Sequence, residues 1–267
     1  MLILLLAALP QEYGSFKRRC GPWTLLARRP FRWFSGDFSG KQLFLVETGM
    51  GGSRMAEAME WAYGKCRPDL ILAMGFAGSL CGDLAVGDVL LGRESVLYDH
   101  LTGSAEAERF LLTVPETLIR CFKARGVTAG MIVTVRQPQS KAAMAGCFAG
   151  SPAVTDMETH VAARFAWAAG APFLCFRSVS DGLNHEIDYD LNAITDSEGR
   201  VQVLKVMGAV LRRPGLLRSF ALSWRRSLKA ANRLGEALCD FLNLPLPTLL
   251  NVAGECRVGC RRGDGNS

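Results

Sequence analysis

The sequence predicts an α/β fold: a single three-layer domain with a mixed, largely parallel central sheet, plus a C-terminal helical extension. Short apolar runs alternate along the chain with stretches of helical spacing, which is the pattern of a sheet covered by helices on both faces. Several runs, such as residues 70–74 (LILAM), are apolar throughout, which suits strands buried on both faces. The length of 267 residues is enough for one large domain of this kind.

Seven strands are predicted, each bounded by Gly, Pro or polar residues. In chain order they are Leu2–Ala8, Gln42–Glu47, Leu70–Met74, Asp88–Leu91, Ala129–Val135, Ala153–Asp156 and Phe173–Ser178. No positive residue precedes the first run, and it is shorter than the ~20 apolar residues that span a bilayer, so a buried strand is the favoured interpretation. A signal peptide is the alternative for this segment.

Helical spacing lies between these strands and after them. The predicted helices are Gly52–Lys65, Val114–Arg125, Met157–Ala169, Val201–Leu211 and Leu216–Leu242. We therefore divide the chain into an α/β core at 1–190, a helical extension at 191–250 that packs on the core or projects from it, and a tail at 251–267. The tail is rich in Gly, Arg and polar residues, and we expect it to be poorly ordered.

The charge of the chain is modestly basic and is concentrated in one place. Lys and Arg number 31 and Asp and Glu 25, which gives a net charge of +6. Seven basic residues and no acidic residue lie from Arg212 to Arg233, so the rest of the chain is close to neutral and we expect no nucleic-acid partner. The nine cysteines form no C-x-x-C pair, which argues against a metal site and indicates a reducing, cytoplasmic location.

Three carboxylates directly follow strand-like runs. Glu12 comes after the first predicted strand, Glu158 after the sixth and Asp181 after the seventh. Ligands of open α/β sheets bind beyond the carboxyl ends of the strands, so these three acids are candidates for one site. The alternatives are solvated loop residues for all three, an interaction of Glu158 with the dipole of the following helix, and a simple turn at Asp181.

Two glycine-bearing turns also follow predicted strands, at residues 48–52 (TGMGG) and 75–78 (GFAG). Glycine lets the backbone approach a ligand closely. The first turn lacks the full G-x-G-x-x-G fingerprint, and no acid at the end of the next strand is available to hold a ribose. A dinucleotide cofactor is therefore disfavoured, and we expect none.

Two longer motifs resemble a known family. Residues 156–159 (DMET) and, after a helix, residues 172–181 (PFLCFRSVSD) resemble the paired signature of the nucleoside phosphorylase family, which includes the methylthioadenosine and adenosylhomocysteine nucleosidases. Residues 10–12 (PQE), 75–78 and 87–89 (GDV) match as well, so the resemblance covers about residues 1–190. It implies an enzyme that cleaves the bond between ribose and a purine, preferably adenine, and that forms a homo-oligomer.

The resemblance also implies roles for single residues, because the reaction produces a ribosyl cation and a base that gathers negative charge. Asp181 would protonate or hydrogen-bond purine N7, and Glu12 would be the general base that activates water. Glu158 would hold the ribose hydroxyls. The other substrate-binding positions are Met157, Phe76, Ala77, Gly78, Ser180 and Arg177. For Arg177, a purely structural ion pair is an equal alternative.

The choice of nucleophile depends on whether the chain can cradle an anion, which takes glycine amides and arginines. Ala73 stands where phosphate-using members carry Arg, Phe76 replaces a common Ser, and no G-D-x-x-R loop lies near Glu12. Water is therefore favoured. Inorganic phosphate is the alternative as a co-substrate, with Arg54 as a residue that could reach it from the glycine turn.

The C-terminal part bears on the substrate. Residues 192–200 (NAITDSEGR), residues 210–217 (VLRRPGLL) and the basic helix that follows are similar to the tail of the hopanoid-associated phosphorylase group, which implies an adenosylated hopanoid lipid. Methylthioadenosine, adenosylhomocysteine and futalosine are the alternatives. The helix at 216–242 mixes apolar and Arg residues, which suits the inner membrane surface or, alternatively, a stripe packed on the domain. A nucleoside-binding protein without catalysis is the rival to an enzyme.

Overall fold

The structure is a computed structural model that describes residues 1–99, 102–183 and 216–262. Its strands are β1 (Leu2–Ala7), β2 (Trp23–Ala27), β3 (Arg32–Phe38), β4 (Lys41–Glu47), β5 (Leu70–Ser79), β6 (Val89–Asp99), β7 (Ser104–Thr113), β8 (Val127–Val135), β9 (Ala153–Asp156), β10 (Phe173–Asp181) and β11 (Arg257–Arg262). Its helices are α1 (Pro10–Arg19), α2 (Gly52–Tyr63), α3 (Glu116–Lys123), α4 (Lys141–Ala145), α5 (Thr159–Ala169), α6 (Leu216–Leu242) and α7 (Leu246–Glu255).

The strands form one mixed sheet in the order β11-β7-β6-β8-β9-β5-β1-β4-β3-β2, and β10 pairs with β5 and β6. The sheet is parallel around β1, because β1 runs parallel to both β4 and β5, and β10 runs parallel to β5. Beyond β5 and β10 the direction reverses, because β9 pairs antiparallel with β5 and β6 pairs antiparallel with β10. The mixed α/β fold predicted from the sequence is confirmed. Four strands were not predicted, β2, β3, β7 and β11, and they add antiparallel pairs toward the two edges.

The three layers follow from the alternation of side chains along the central strands. On one face of β1, Leu5 packs in a core with Phe16 of α1, Phe122 of α3 and Phe241 of α6. On the other face, Leu4 packs in a second core with Met55 of α2 and with residues of α5. Because both faces are covered, residues 3–7 of β1 are fully buried, which explains why this run is apolar throughout.

The helix α6 belongs to this core over its second half. Leu234, Leu238 and Phe241 are fully buried in the first of the two cores. The ammonium of Lys41 donates to the carbonyl oxygens of Leu242 (2.7 Å) and Leu244 (2.9 Å) just beyond the end of the helix. The described part of the extension is therefore packed on the domain. The predicted helix at 201–211 and the predicted boundary at 190 lie outside the described residues.

The prediction of a poorly ordered tail from residue 251 is wrong for residues 251–262. The helix α7 continues to Glu255 with Val252 buried, and β11 pairs antiparallel with β7 along its whole length. The prediction failed because the segment is rich in Gly and Arg, which are not typical of a strand. Only two residues of the described strand, Val258 and Cys260, pack against the second core. Among the described residues, no helix is both long enough and apolar enough to cross a membrane.

Candidate active site

Glu12 lies at the carboxyl end of β1, in the first turn of α1. Pro10 opens this helix, at a position that suits its fixed φ and its missing N–H. The Glu12 carboxylate is buried and accepts three backbone hydrogen bonds: Oε2 from the N–H groups of Ala8 (2.7 Å) and Leu9 (2.9 Å), and Oε1 from that of Phe76 (2.9 Å). Burial raises the pKa of Glu12, and Arg177 and the three amides oppose the rise without cancelling it.

Arg177 meets Glu12 over a glycine of the neighbouring strand. The guanidinium is buried, with 2% of its side chain exposed, and it reaches from β10 across its register partner Gly75 on β5. A Cβ atom on Gly75 would overlap Arg177 Nη1 and would lie 2.8 Å from Glu12 Oε1. Only glycine leaves room for the arginine and the carboxylate to approach each other here.

The other side of Arg177 is fixed by Asp156 and Thr159. Its Nη2 forms an ion pair with Asp156 Oδ2 at 2.8 Å, and its Nε and Nη2 donate to Thr159 Oγ1 at 3.1 and 2.8 Å. The Thr159 hydroxyl in turn donates to Asp156 Oδ2, and Thr134 donates to Asp156 Oδ1 at 2.7 Å. Arg177 is thus both a structural ion-pair partner and a neighbour of Glu12, so the two alternatives open in the sequence are combined.

Glu158 completes this group. The helix predicted from residue 157 begins at Thr159, so Glu158 occupies the N-cap position, but its side chain makes no capping hydrogen bond. Instead Glu158 Oε1 accepts from the N–H of Gly51 at 2.7 Å, which ties it to the glycine turn before α2. Burial, with Asp156 and Glu12 nearby, raises the pKa of Glu158 to about 7, although Arg177 opposes the shift. We call Glu12, Asp156, Glu158, Thr159 and Arg177 the Arg177 cluster.

Asp181 lies four residues after Arg177, at the end of β10, where a bulge pairs it with Gly78 of β5. Its Oδ1 accepts from the hydroxyl of Ser180 at 2.7 Å. Its Oδ2 forms an ion pair with the ammonium of Lys141, which also donates to the carbonyl of Gly182 at 2.6 Å. We call Lys141, Ser180 and Asp181 the Lys141 cluster.

The two clusters lie along one short stretch of sheet. Gly75, at the Arg177 cluster, and Gly78, at the Lys141 cluster, are three residues apart on β5, about 10 Å at the usual rise of a strand. The stretch lies at the carboxyl ends of β1, β5 and β10, which run parallel. The structure therefore brings Glu12, Glu158 and Arg177 together and places Asp181 farther along the same two strands.

The remaining predicted positions lie on or beside this stretch. Phe76 is half-buried and meets Glu12 through its backbone N–H, and the carbonyl of Ala77 accepts from Ser180 at 3.4 Å. Met157 is partly buried and packs against a small core that includes Phe148. Three members of the clusters, Asp156, Thr159 and Lys141, were not predicted as site residues, and Thr159 closes the same DMET motif as Asp156. Asp156 stands in the DMET motif and could have been found there, whereas nothing in the sequence around Lys141 marks it.

A cavity of about 430 Å³ borders the segment just before Glu12. It is lined by Leu9, Pro10, Gln11, Arg28, Arg29, Arg32 and Glu47. Glu47 is already engaged there, with Arg32 at 3.1 Å and with the Tyr13 hydroxyl, which donates to it at 2.6 Å. Within the described ranges, no three His, Cys, Asp or Glu residues are grouped as a metal ion would require.

Comparisons with known proteins agree on one family. A family model described as the phosphorylase superfamily matches residues 2–213. The 5′-methylthioadenosine/S-adenosylhomocysteine nucleosidase of Listeria monocytogenes serotype 4b is 26% identical over 176 residues, which cover 58% of this chain and 75% of that protein. The nucleosidase of the same name from an Exiguobacterium species is 24% identical over 201 residues, covering 68% of this chain and 85% of its own.

Solved structures with the same fold carry similar names. The S-adenosylhomocysteine nucleosidase of Streptococcus pyogenes, in complex with 5-methylthiotubericidin, has a TM-score of 0.67 at 19% identity and covers 92% of this chain and 98% of its own. The 5′-methylthioadenosine/S-adenosylhomocysteine nucleosidase of Neisseria meningitidis, in complex with methylthio-immucillin-A, has a TM-score of 0.65 at 19% identity, covering 91% and 98%.

Proposed function

The chain belongs to the phosphorylase superfamily, and from this premise we propose that it cleaves the N-glycosidic bond of an adenine nucleoside with water as the nucleophile. The family resemblance predicted from the sequence is thereby confirmed, and the chain is an enzyme of the nucleosidase and phosphorylase class. The observation that carries the proposal is the placement of Glu12, Glu158 and Arg177 about 10 Å along β5 from Asp181. That spacing suits a nucleoside, with the sugar at the Arg177 cluster and the base at the Lys141 cluster.

At the base, Asp181 stabilises the leaving group. Negative charge develops on the purine as the bond to ribose breaks, so a proton or hydrogen bond at N7 is worth most in the transition state. The Ser180 hydroxyl, which donates to Oδ1, fixes the orientation of the carboxyl group. Gly78 lets the carboxylate lie close against β5, because a Cβ atom there would be only 2.8 Å from Asp181 Oδ2.

At the sugar, the Arg177 cluster supplies negative charge and hydrogen-bond acceptors. It contains three carboxylates and one guanidinium, and this net negative charge favours the positive charge that develops on the ribosyl group. Glu158 accepts hydrogen bonds from the ribose hydroxyls. Glu12, whose pKa is raised by burial, takes the proton of the attacking water.

Water is favoured over phosphate because the groups that would cradle an anion are already occupied. Three backbone amides hold the Glu12 carboxylate, and the amide of Gly51 holds Glu158. A phosphate beside these two buried acids would meet like charge. Arg54, which the sequence offered as a phosphate ligand, pairs with Glu57 at 3.0 Å and lies over the ring of Phe31.

Phosphate as the co-substrate remains the second candidate because of the cavity before Glu12. Arg28, Arg29 and Arg32 line it, and Arg32 pairs there with Glu47 at 3.1 Å. The deciding assay measures base release in buffer with no phosphate and with added phosphate, and it identifies the sugar product. Free ribose formed at the same rate in both conditions supports water; ribose 1-phosphate and an absolute need for phosphate refute it.

We propose an adenosylated hopanoid lipid as the substrate and a contact of α6 with an anionic membrane surface. The support is the likeness of residues 192–200 and 210–217 to the hopanoid-associated group and the first half of α6, where Leu222, Trp224 and Leu228 are about half exposed beside Arg225. The second half of α6 is packed in the core, so the membrane contact is proposed for the first half alone.

The membrane proposal is tested with vesicles of anionic and of neutral phospholipid. Wild type should sediment with the anionic vesicles, and Trp224→Ser with Leu228→Ser should weaken this binding while leaving base release from a water-soluble nucleoside unchanged. Equal recovery of wild type and variant with both kinds of vesicle would exclude the contact. The homo-oligomeric state, the cytoplasmic location, the expectation of no nucleic-acid partner and of no cofactor remain predictions.

The central test is release of adenine from methylthioadenosine and from an adenosylated hopanoid, followed by chromatography. Release from either by wild type, at a rate well above the spontaneous one, supports the proposed reaction. Binding of both nucleosides with no release of base would instead identify a nucleoside-binding protein.

A further inference from the structure

Lys141 is a buried lysine that lies in none of the sequence motifs described above. It is the first residue of α4, and only 6% of its side chain is exposed. Its stem passes beside Gly78, where a Cβ atom would lie 3.1 Å from Lys141 Cδ, and its ammonium ends against Asp181 Oδ2 and the carbonyl of Gly182. Lysine is almost never buried unless its charge is paired, and here the partner is the acid assigned to the base.

This pairing raises a difficulty for Asp181 as an acid. In the ion pair with Lys141, the Asp181 carboxylate is an acceptor and has no proton of its own to give. The pair as a whole nevertheless holds a proton that can be transferred, because the ammonium of Lys141 carries three N–H donors and one of them points at Asp181 Oδ2.

We propose that Lys141 stores the proton that Asp181 delivers to the departing base. The inference rests on the proposed function and names a residue that acts through Asp181 without touching the base itself. The Oδ2 oxygen suits this transfer because it contacts the ammonium directly, while Gly78 lets both side chains lie close against β5.

The proton balance is simple. The N–H bond at Nζ breaks and leaves its electron pair on the amine, and an O–H bond forms at Asp181 Oδ2. That proton passes to purine N7 while the electron pair of the C1′–N9 bond moves onto the purine, so the base leaves neutral. Lys141 is then a neutral amine, and it regains a proton from solvent before the next turnover.

Few ionisable groups lie on the described elements that carry or adjoin the pair. The strand β5 has none, and Lys141 is the only charged residue of α4. On β9 and β10, Asp156 and Arg177 pair with each other. Tyr98 of β6 packs with Phe148 after α4, and Arg136 is exposed after β8.

The test is the pH profile of kcat for wild type and for Lys141→Met between about pH 5 and pH 9. At pH 8 the variant should be at least ~100-fold slower, because no proton donor then stands behind Asp181 and solvent holds few protons. At pH 5 the deficit should shrink to less than ~10-fold, because solvent itself then supplies the proton that Lys141 would have stored. A deficit of one size at all pH values would show mere structural support and overturn the proposal.

Two further variants complete the design. Lys123→Met, at an exposed site at the end of α3, should match wild type throughout. Lys141→Arg keeps the charge but does not release a proton, so its kcat should stay low at pH 8 even with KM near that of wild type. Full recovery of kcat by Lys141→Arg would overturn the proposal, and this variant decides alone if Lys141→Met does not fold. If wild type releases no base at all, the proposed function has failed, which is a distinct result.

Discussion

The Arg177 cluster and the Lys141 cluster hold their carboxylates by different means. In the Arg177 cluster, three buried acids share one guanidinium and are held by backbone amides, so negative charge exceeds positive charge and the pKa values of Glu12 and Glu158 are raised. In the Lys141 cluster, one acid meets one ammonium, and 24% of the Asp181 side chain is exposed. The first arrangement suits stabilisation of a cation, and the second suits the transfer of a proton.

The comparison predicts the largest loss of activity at the Lys141 cluster. Asp181→Asn keeps the shape of the side chain but removes the carboxyl group that receives and passes on the proton, so kcat should fall by ~10²–10⁴-fold. The fall is measured as adenine release at saturating substrate, with thermal unfolding as the check on folding. Asp83→Asn, at an exposed turn, is the matched control. An Asp181→Asn enzyme within a few-fold of wild type would remove Asp181 from the reaction.

A second variant tests whether catalysis needs the close approach of Arg177 and Glu12 at Gly75 of β5. Gly75→Ala places a Cβ atom into Arg177 Nη1 and near Glu12 Oε1, so the arginine or the carboxylate must move. We expect kcat/KM to fall by ~10–100-fold and the free energy of unfolding by about 1–3 kcal/mol. Gly146→Ala is the control, because a Cβ atom there meets nothing within 4 Å. Equal activity of the two variants would show that the Glu12–Arg177 geometry is irrelevant to catalysis.

The raised pKa of Glu158 predicts a pH dependence at the Arg177 cluster. Because Glu158 must be ionised to accept hydrogen bonds from the ribose hydroxyls, kcat/KM of wild type should rise as the pH increases through about 7. Glu158→Gln should raise KM ~10-fold and remove this inflection. A Glu158→Gln enzyme that keeps the same inflection would assign it to another group, such as Glu12.

The same group predicts how stability changes with pH. Its pKa is higher in the folded chain than in the unfolded chain, so between about pH 4.5 and 7 the folded state binds more protons. The free energy of unfolding should therefore fall across this window, by roughly 3 kcal/mol from this group, and the fall should be absent in Glu158→Gln. Urea unfolding at several pH values measures it. Glu60→Gln, at an exposed site on α2, should retain the slope of wild type.

The smallest effect is expected at Thr159, whose hydroxyl contacts Arg177 on the side that faces Asp156 and points away from Glu12. Thr159→Val removes the hydroxyl that accepts from Arg177 and donates to Asp156. The free energy of unfolding should fall by about 1–2 kcal/mol, with kcat changed by less than ~5-fold, because the ion pair remains. Thr24→Val, on the exposed side of β2, serves as the control in urea. A loss of activity as large as that of Gly75→Ala would mean that Thr159 does more than support Arg177.

The sequence predicted the Arg177 cluster better than the Lys141 cluster, and the reason is physical. Glu12 and Asp181 follow β1 and β10, which run parallel to β5, and the carboxyl ends of parallel strands lie at one edge, so their approach could be expected. Glu158 follows β9, which runs antiparallel to β5, but it stands in the DMET motif. Lys141 opens α4, a helix of five residues that a polar loop separates from β8. Its pairing with Asp181 is a tertiary contact between distant segments of the chain. A local pattern of residue types does not predict such a contact.

The same distinction explains the missed strands. The central strands are apolar on both faces and are evident from composition alone. The strands β3 and β11 mix charged, glycine and apolar residues, and β2 alternates half-buried and exposed residues, because only part of the surface of these outer strands is buried. They are stabilised by pairing with a neighbour already in place, as β11 is along β7.

The pairing of β11 with β7 has a consequence for the order in which the fold is completed. The strand β7 is synthesised early, whereas β11 follows after most of the chain has left the ribosome. Until then, β7 presents an open row of amide and carbonyl groups that can recruit strands from other nascent chains. A chain cut short before residue 257 should therefore misassemble, even though every residue of both clusters is present.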